Sequence, residues 1–414
     1  MTDQIHDLGA DYAQPFSLWN GETAVAKVGA SAVFRKREYD TLRLTLRAPR
    51  MIQAEDRRLS PNELWSTDNL NAEDGWVLED TTQPTDAYSA EQQIQAAYGM
   101  IDVPIASGIE LRAGARVERS RQRVTTFSPF DKDLVPLETK LDNTDVLPSI
   151  LGKYQILDQL MLRGGYGRTV TRPDFRELSE SQFRDVVTAT RFVGNPELVR
   201  GTIDNFDARL EYYFSSDELV SLSAFYKRFQ DPIEQIDLGG VDRSVSWDNA
   251  DSATNVGLEL ESRGRLGFVS PLLQDVFASV NIALIKSQVV LGEESSGVST
   301  SKERALQGQS PYVVNIQLGY DDANVSGISA VFLYNVFGER IRDVGRLGSP
   351  DIFEEPVHQL DFVYGHKLSD NWKLKFKAKN LLNQEVEFSQ GIKVARRFRT
   401  GRSFGLSLAW DWGE

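Results

Sequence analysis

The sequence predicts an all-β protein, an antiparallel transmembrane β-barrel of roughly fifteen strands. Three observations support this prediction. Apolar and polar residues alternate with the period of a strand over most of the chain. The connections between the alternating segments are short and long in turn. No segment approaches the roughly 20 consecutive apolar residues of a membrane helix, which excludes a helical membrane protein and leaves a barrel open.

The segment 371–380 shows the alternation most clearly. Its apolar positions are Trp372, Leu374, Phe376 and Ala378. The positions between them are Lys373, Lys375, Lys377 and Lys379. A helix would spread these lysines around its axis, whereas a strand places them all on one face. Because four lysines cannot point into a dry core, we expect them to face a hydrated lumen and the apolar face to contact lipid.

The same alternation predicts the other strands, and the chain divides accordingly. Residues 1–22 are expected to be a lead-in loop, and residues 23–412 a single partial barrel. The clearest further strands are 109–118, 206–214, 255–261, 312–320 and 403–412. The weaker ones are 24–35, 41–48, 88–100, 146–156, 160–170, 219–229, 276–290, 328–338 and 357–368.

The connections predict which end of the barrel faces which compartment. Short turns are predicted at 36–40, 103–107, 157–159, 215–218, 321–326 and 368–371, with a slightly longer one at 267–274. Long polar segments fall between them at 50–86, 123–141, 171–200, 230–250, 291–308, 340–355 and 383–400. This asymmetry is typical of outer-membrane barrels, which have short periplasmic turns and long extracellular loops.

Aromatic residues are concentrated near the predicted short-turn ends. The residues expected to form an interfacial girdle are Tyr212, Phe214, Trp372, Trp410 and Trp412. Amphipathic rings favour the level of the lipid headgroups, so this clustering agrees with a membrane-spanning barrel.

Composition excludes several classes of function. The net charge of -14 argues against a nucleic-acid partner. No cysteine is present, and of the three histidines, His358 and His366 are about 26 Å apart along a strand, too far to share a metal. We therefore expect no catalytic residues, no metal and no cofactor. The N-terminal residues lack the basic and apolar regions of a signal peptide.

Three residues in the long loops are candidates for ligand contact. Trp65 and Trp76 lie in an acidic loop, where they could stack on a ligand or pin the loop to its neighbours. Arg172 precedes Pro173 where a strand runs into a long loop. Arg172 could contact a ligand. It could equally mark the end of the strand, because proline cannot continue the hydrogen-bond ladder.

Several segments resemble the barrel of TonB-dependent outer-membrane receptors. Residues 146–178 (VLPSILGKYQILDQLMLRGGYGRTVTRPDFREL) resemble a mid-barrel hairpin of that family, followed by its Arg-Pro loop entry. NFDARLEYYF, LSAFYKRF and NVGLELE resemble its following strands, and KNLLN followed by GRSFGLSLAWDW resembles its end. These blocks, in this order, cover most of residues 87–412.

The resemblance implies a 22-strand barrel of which about fifteen strands are present, without the plug domain or the TonB box. It further implies residence in the bacterial outer membrane and energy-coupled uptake of a scarce ligand, such as a siderophore or an oligosaccharide. The implied partners are outer-membrane lipid, TonB through the missing N-terminal region, the outer-membrane assembly machinery and an unidentified small molecule.

A passive, porin-like channel is the alternative. Porins have 16–18 strands, close to the number predicted here, although an odd number places the two termini on opposite sides and makes closure awkward. A barrel enzyme is a more remote alternative, because no nucleophile and base are recognisable together.

Overall fold

The structure is a computed structural model. It describes residues 1–414 except 19–20, 49–58, 65, 68, 71–74, 132, 186–187, 189, 240–242, 293–298, 323–325 and 413–414. Within the described part, no helix is long and apolar enough to cross a membrane.

One large antiparallel sheet forms the wall. Within the described residues it has 16 strands, of which the two-residue β17 (Glu303–Arg304) lies off the main path beside β16. The path follows the chain through β1 (Thr2–Ser17), β2 (Thr23–Asp40), β5 (Ala87–Ala106), β6 (Ile109–Phe127), β7 (Leu137–Leu157), β8 (Leu160–Thr171), β11 (Gly201–Tyr213), β12 (Leu219–Gln230), β15 (Ser252–Arg265), β16 (Val276–Val290), β18 (Tyr312–Asp322), β19 (Ile328–Phe337), β22 (Gln359–Lys367), β23 (Trp372–Lys379) and β26 (Ser403–Trp410).

Short elements fill the long connections. Two four-stranded sheets are ordered β13-β14-β10-β9 and β20-β21-β24-β25, and β3 pairs with β4. Their bounds are β3 (Leu44–Arg47), β4 (Val77–Asp80), β9 (Gln182–Arg184), β10 (Arg191–Val193), β13 (Ile233–Asp237), β14 (Ser244–Asn249), β20 (Arg340–Asp343), β21 (Ile352–Glu354), β24 (Val386–Gln390) and β25 (Lys393–Phe398). Two short helices, α1 (Pro61–Leu64) and α2 (Phe175–Leu178), and two 3₁₀ turns, Leu266–Phe268 and Pro271–Leu273, complete the structure.

The predicted fold class is confirmed, including the alternation of short and long connections. Residues 107–108, 158–159, 214–218 and 368–371 join strands at one end of the sheet, which we call the turn end. The long connections, such as 172–200, 231–251 and 380–402, all lie at the other end, which we call the loop end. In the two-residue turn 107–108, Gly108 has a φ of 76°, a conformation that glycine adopts without strain.

The beginning of the chain was predicted wrongly. Residues 1–22 were expected to be a loop, but 2–17 form β1, which pairs along its whole length with β2. The alternation in β1 is weak, because small and polar residues occupy many positions of its outer face. Leu8 and Tyr12 nevertheless pair with Ala32 and Val28 on that face, and this register fixes the strand.

Three further boundaries differ from the prediction. The expected turn at 36–40 belongs to β2, since Arg35 and Arg37 point inward and bind Asp3 of β1. Residues 41–48 were expected to be a wall strand, but Leu44–Arg47 forms a separate hairpin with β4. About half of the expected loop 123–141 is strand, because β6 continues to Phe127 and β7 begins at Leu137. The loop-end parts of these long strands were therefore not predicted as strand, because they carry charged residues beyond the apolar span.

The two faces of the wall differ sharply. On the outer face, Leu222, Leu258 and Leu284 are all more than half exposed although they lie in the middle of the sheet. A row of phenylalanines continues this face across four strands: Phe332, Phe362, Phe376 and Phe404. On the inner face, ion pairs cross between strands, as Arg209 does to Glu261 at 2.7 Å. An apolar outer face and a polar inner face are what a lipid-embedded barrel wall requires.

Candidate ligand-binding site at the loop end

The main hydrophobic core lies at the loop end, not within the wall. Tyr88 and Val124 contribute it from the inner faces of β5 and β6. Phe175, Leu178 and Leu198 contribute from the long connection 172–200, which therefore folds inward onto the wall. These five side chains are at most 2% exposed. At about 1.5–3 kcal/mol for each large apolar side chain buried, this packing holds the connection in place.

Local sequence explains how the connection turns inward. Pro173 cannot donate to the ladder, so β8 ends at Thr171. Asp174 then caps α2 with a capping box, in which the Glu177 carboxylate accepts from the Asp174 amide at 2.9 Å. Gly194 crosses close to the end of this helix, where an added Cβ would lie 1.9 Å from the Ser179 carbonyl oxygen. Only glycine fits there, so the return of the connection depends on it.

Arginines on the inner face of β2 bind α2 through ion pairs and ring contacts. Arg37 binds Asp3 at 2.7 Å and Asp174 at 2.9 Å, and so ties the first strand to the helix cap. The ring of Phe175 has the guanidinium groups of Arg35 and Arg37 at 5.0 and 5.3 Å from its centroid. Such cation–π contacts add to the ion pairs, so charge and packing act together at this point.

Arg172 lies where the strand-end interpretation placed it and is strongly held. Its guanidinium binds Glu118 at 2.9 Å and Asp145 at 3.2 Å, on the inner faces of β6 and β7. Arg200, at the other end of the connection, binds the same Asp145 at 2.5 Å. The two ends of the connection are therefore clamped to one carboxylate of the wall.

A cavity of about 810 Å³ opens between the long connections. Arg172 lies on its wall, as do Trp247 and Phe388, which offer aromatic surface. Its other charged lining residues are Asp174, Glu177, Glu234, Glu354, Arg340, Arg342 and Arg396. Five separate connections contribute to this lining, so the cavity exists only when all of them are folded.

Each carboxylate in the cavity already has a partner. Asp174 binds Arg37, and Glu177 accepts from the helix cap. Glu354 accepts from Arg340 at 2.7–2.8 Å. Glu234 binds Arg304 at 2.8 Å, and both side chains are nearly inaccessible. Arginine partners thus neutralise Asp174, Glu234 and Glu354, whereas the donor to Glu177 is an uncharged amide.

Two of the arginines are not neutralised. Within the residues that the structure describes, Arg342 and Arg396 form no ion pair. The Arg396 guanidinium lies over the ring of Phe388 at 4.4 Å, which positions it without cancelling its charge. The uncommitted charge of the cavity is therefore positive, and its chemistry suits an anionic ligand.

Two carboxyl groups of the cavity have shifted pKa values. Burial raises the pKa of Glu177, and the neighbouring charge of Asp174 raises it further. Burial also raises the pKa of Glu234, while Arg304 opposes that shift. Within the described residues, no group of three or more histidine, aspartate or glutamate side chains could hold a metal ion.

The other predicted site residues lie elsewhere. Trp65 is outside the described residues. Trp76 lies in the connection before β4, where its amide donates to the Asn69 carbonyl at 2.7 Å, and it does not line the cavity. The four lysines of β23 lie on the face opposite Leu374 and Phe376, and Lys373 binds Asp411 at 2.6 Å. Their expected contact with a lumen stays a prediction.

The five aromatic residues predicted as a girdle all lie at the turn end, in two separate groups. Tyr212 and Phe214 meet edge to face, with ring centroids 4.9 Å apart. Trp410 stacks on Trp372 at 5.8 Å and contacts Trp412 at 4.0 Å. All five are more than a third exposed. The positions suit an interfacial role, which the structure leaves as a prediction.

Sequence reasoning missed Arg342, Arg396, Trp247 and Phe388. Each lies in a long connection with no alternation to place it. Trp247 carried a weak signal, as an aromatic residue in a long polar segment. The arginines carried none, since only the folded connections show which cations lack a partner.

Comparisons with known proteins agree with this architecture. The family model described as TonB dependent receptor-like, beta-barrel matches residues 4–381. A search of curated proteins found no match. Solved structures with the same fold include the ferric yersiniabactin uptake receptor FyuA from Yersinia pestis (13% identity, TM-score 0.61), the ferric-catecholate import receptor Fiu from E. coli K12 (12%, 0.65) and a mutant of the ferric enterobactin receptor PfeA from Pseudomonas aeruginosa (15%, 0.52).

Each comparison covers 99% of this chain but only 55%, 54% and 62% of FyuA, Fiu and PfeA respectively. The chain therefore spans between about half and two thirds of the length of these structures. The fold is that of an outer-membrane receptor barrel. The chain belongs to the TonB-dependent receptor β-barrel family.

The raised pKa of Glu177 predicts a pH-dependent docking of the connection 172–200. Because the folded state holds the proton of this carboxyl more tightly than the unfolded state, Glu177 weakens docking as the pH rises above about 4.5. Glu177→Gln keeps the capping-box acceptor without the charge. Amide exchange in 175–198 should show equal protection in both forms at pH 4, and greater protection in the variant at pH 7. A difference independent of pH would contradict this assignment.

Proposed function

We propose that this chain is the ligand-binding barrel part of a receptor that takes up a scarce, anionic ligand across the outer membrane, with energy supplied through TonB. The observation that supports this most directly is the loop-end cavity with Arg342 and Arg396, which form no ion pair within the described part of the chain. The receptor acts by binding and transport, and no chemistry on the ligand is involved.

The dimensions and charge of the cavity favour a siderophore-like ligand. About 810 Å³ is within the range of small-molecule sites, roughly 300–1,000 Å³. Arg342 and Arg396 would bind an anionic complex, and Trp247 would contact its rings. A neutral oligosaccharide would leave both arginines without a partner, so we favour the anionic class. The FyuA and Fiu structures are named as receptors for ferric complexes, which agrees with this choice.

The ion pairs beneath the cavity would keep it preorganised. Arg172, Arg200 and Arg37 fix one connection to the wall before any ligand arrives. The ligand then loses less binding free energy to the ordering of the connections. From this site the ligand would move inward along the polar inner face, where we place the lysines of β23.

The remaining partners follow from the family. We propose that the outer face, with its turn-end aromatic residues, contacts outer-membrane lipid, and that the outer-membrane assembly machinery inserts the barrel. We place the contact with TonB outside these 414 residues. We propose that residues 2–410 form a single domain, which consists of the wall and the connections packed on it.

Truncation of the two unpaired arginines should weaken anion binding. Charged hydrogen bonds contribute about 1.5–3 kcal/mol, so Arg342→Ala and Arg396→Ala should each weaken binding of an anionic ferric siderophore about tenfold or more. Titration calorimetry of the 414-residue chain in detergent would measure this.

Arg397→Ala is the matched control, since Arg397 is adjacent to Arg396, mostly exposed and not part of the cavity lining. It should bind as the unaltered chain does. Equal losses in Arg396→Ala and Arg397→Ala would show that general charge attracts the ligand, and no loss in either cavity variant would refute the proposed site.

Uptake by the parent receptor should require the proton gradient of the inner membrane. Cells that express it should stop accumulating the labelled ligand when the gradient is collapsed, while binding at the surface continues. A passive channel would instead equilibrate the ligand at an unchanged rate. Such unchanged uptake would exclude energy coupling.

A further inference from the structure

The outer face of the wall carries a group of basic residues just beyond its apolar part, towards the loop end. We call it the outer basic band. Its members are Arg119, Arg121, Arg123, Lys140, Arg168 and Arg228. The cavity at the loop end uses none of them, and none belongs to the inner face.

The strand register places these residues on the lipid-facing side. Along β6 the outward positions run from Ile109 to Val117 and continue, two residues at a time, to Arg119, Arg121 and Arg123. Arg168 and Arg228 lie on either side of Asp204 in the strand register. On the same face, the row of Tyr166, Phe206 and Tyr226 lies two residues closer to the turn end. The band therefore continues the face that contacts lipid.

Strand geometry gives the height of the band. Ile109 and Val117 are separated by about 26 Å along the strand, or about 20 Å across the membrane at a tilt of roughly 40°. The apolar band of outer-membrane barrels is about 25 Å tall. Arg119 and Arg121 therefore lie at about the level of the outer-leaflet headgroups.

The carboxylates on this face are too few to neutralise the band. Arg119 and Arg121 share one carboxylate, that of Asp142, at 3.5 and 3.4 Å. Arg123 and Lys140 share that of Glu138 at 3.0 and 2.6 Å. Glu91 of β5 pairs in register with Arg123. All four basic side chains remain more than half exposed.

The second part of the band repeats this arrangement. Arg168 binds Asp204 at 2.8 Å, and Arg228 lies opposite Asp204 in the strand register. Among the described residues of the band, six cations thus face the four carboxylates of Asp142, Glu138, Glu91 and Asp204. In a chain whose net charge is -14, a positive excess on the lipid-facing side is a local concentration of charge.

A groove of about 320 Å³ runs through the band between β5, β6 and β7. Arg121, Arg123, Lys140 and the amide of Gln93 line it together with Asp142 and Glu91. Guanidinium, ammonium and amide groups in one groove are donors for the oxygens of a phosphate.

We infer that the outer basic band binds the phosphate groups of a phosphorylated glycolipid of the outer leaflet. The acyl chains would lie on the apolar positions below, and the phosphates would meet Arg119, Arg121 and the groove. Continuity with the lipid face selects this occupant over a soluble anion, because a lipid presents its phosphate at this height with its chains already in place. The inference depends on residence in the outer membrane and is independent of the transported ligand.

The test compares two lipids on the 414-residue chain in neutral detergent. Thermal unfolding is followed with diphosphoryl lipid A, with chemically dephosphorylated lipid A, and with inorganic phosphate. Only diphosphoryl lipid A should raise Tm. The double variant Arg119→Gln/Arg121→Gln should bind it at least tenfold more weakly, because each change removes a charged hydrogen bond.

The matched control is Lys375→Gln/Lys377→Gln, which removes the same charge from the opposite face of the wall. It should bind diphosphoryl lipid A as the unaltered chain does. An equal rise in Tm with the dephosphorylated lipid, an equal response to inorganic phosphate, or equal weakening in both double variants would overturn the inference. Failure of ligand uptake in the parent receptor would leave these results unchanged.

Discussion

The antiparallel hydrogen-bond ladder is the constraint on which the rest of the structure depends. In hydrocarbon every backbone amide and carbonyl must be paired within the protein, and neighbouring strands do this while their side chains alternate between two faces. One unbroken path from β1 to β26 therefore separates an apolar surface, represented by Leu222 and Leu258, from a polar one, represented by Arg209 and Glu261.

The faces are stabilised in different ways. The outer face presents exposed apolar side chains, which suit contact with hydrocarbon. The inner face uses charge, and at the loop end the same charges bind the long connections, as Asp145 does with Arg172 and Arg200. The hydrophobic core around Phe175 packs the same connection against the inner face of the wall. The long connections thus form the site. The wall positions them through ion pairs, and their own side chains add hydrophobic packing.

Much of the wall could be predicted from the sequence, because period-2 alternation is a local signal. Prediction failed where that signal is weak: β1 has polar residues at several positions of its outer face, and the far end of β2 is charged on both faces. The segment 41–48 alternates as a strand does but pairs only with β4. The site was less predictable. Arg172 could be recognised as the start of a connection, whereas the free charge of Arg342 depends on pairings made between distant connections.

The most direct test is a cysteine scan along β12, which is clean because the chain has no cysteine of its own. Spin labels at successive positions from 221 to 226 would be exposed in turn to a lipid-soluble and a water-soluble relaxation agent. Labels at Leu222, Ala224 and Tyr226 should respond to the lipid-soluble agent, and those at Ser221 and Ser223 to the water-soluble one. A response that does not alternate, or that is uniform along the strand, would contradict the division of the wall into a lipid face and a polar inner face.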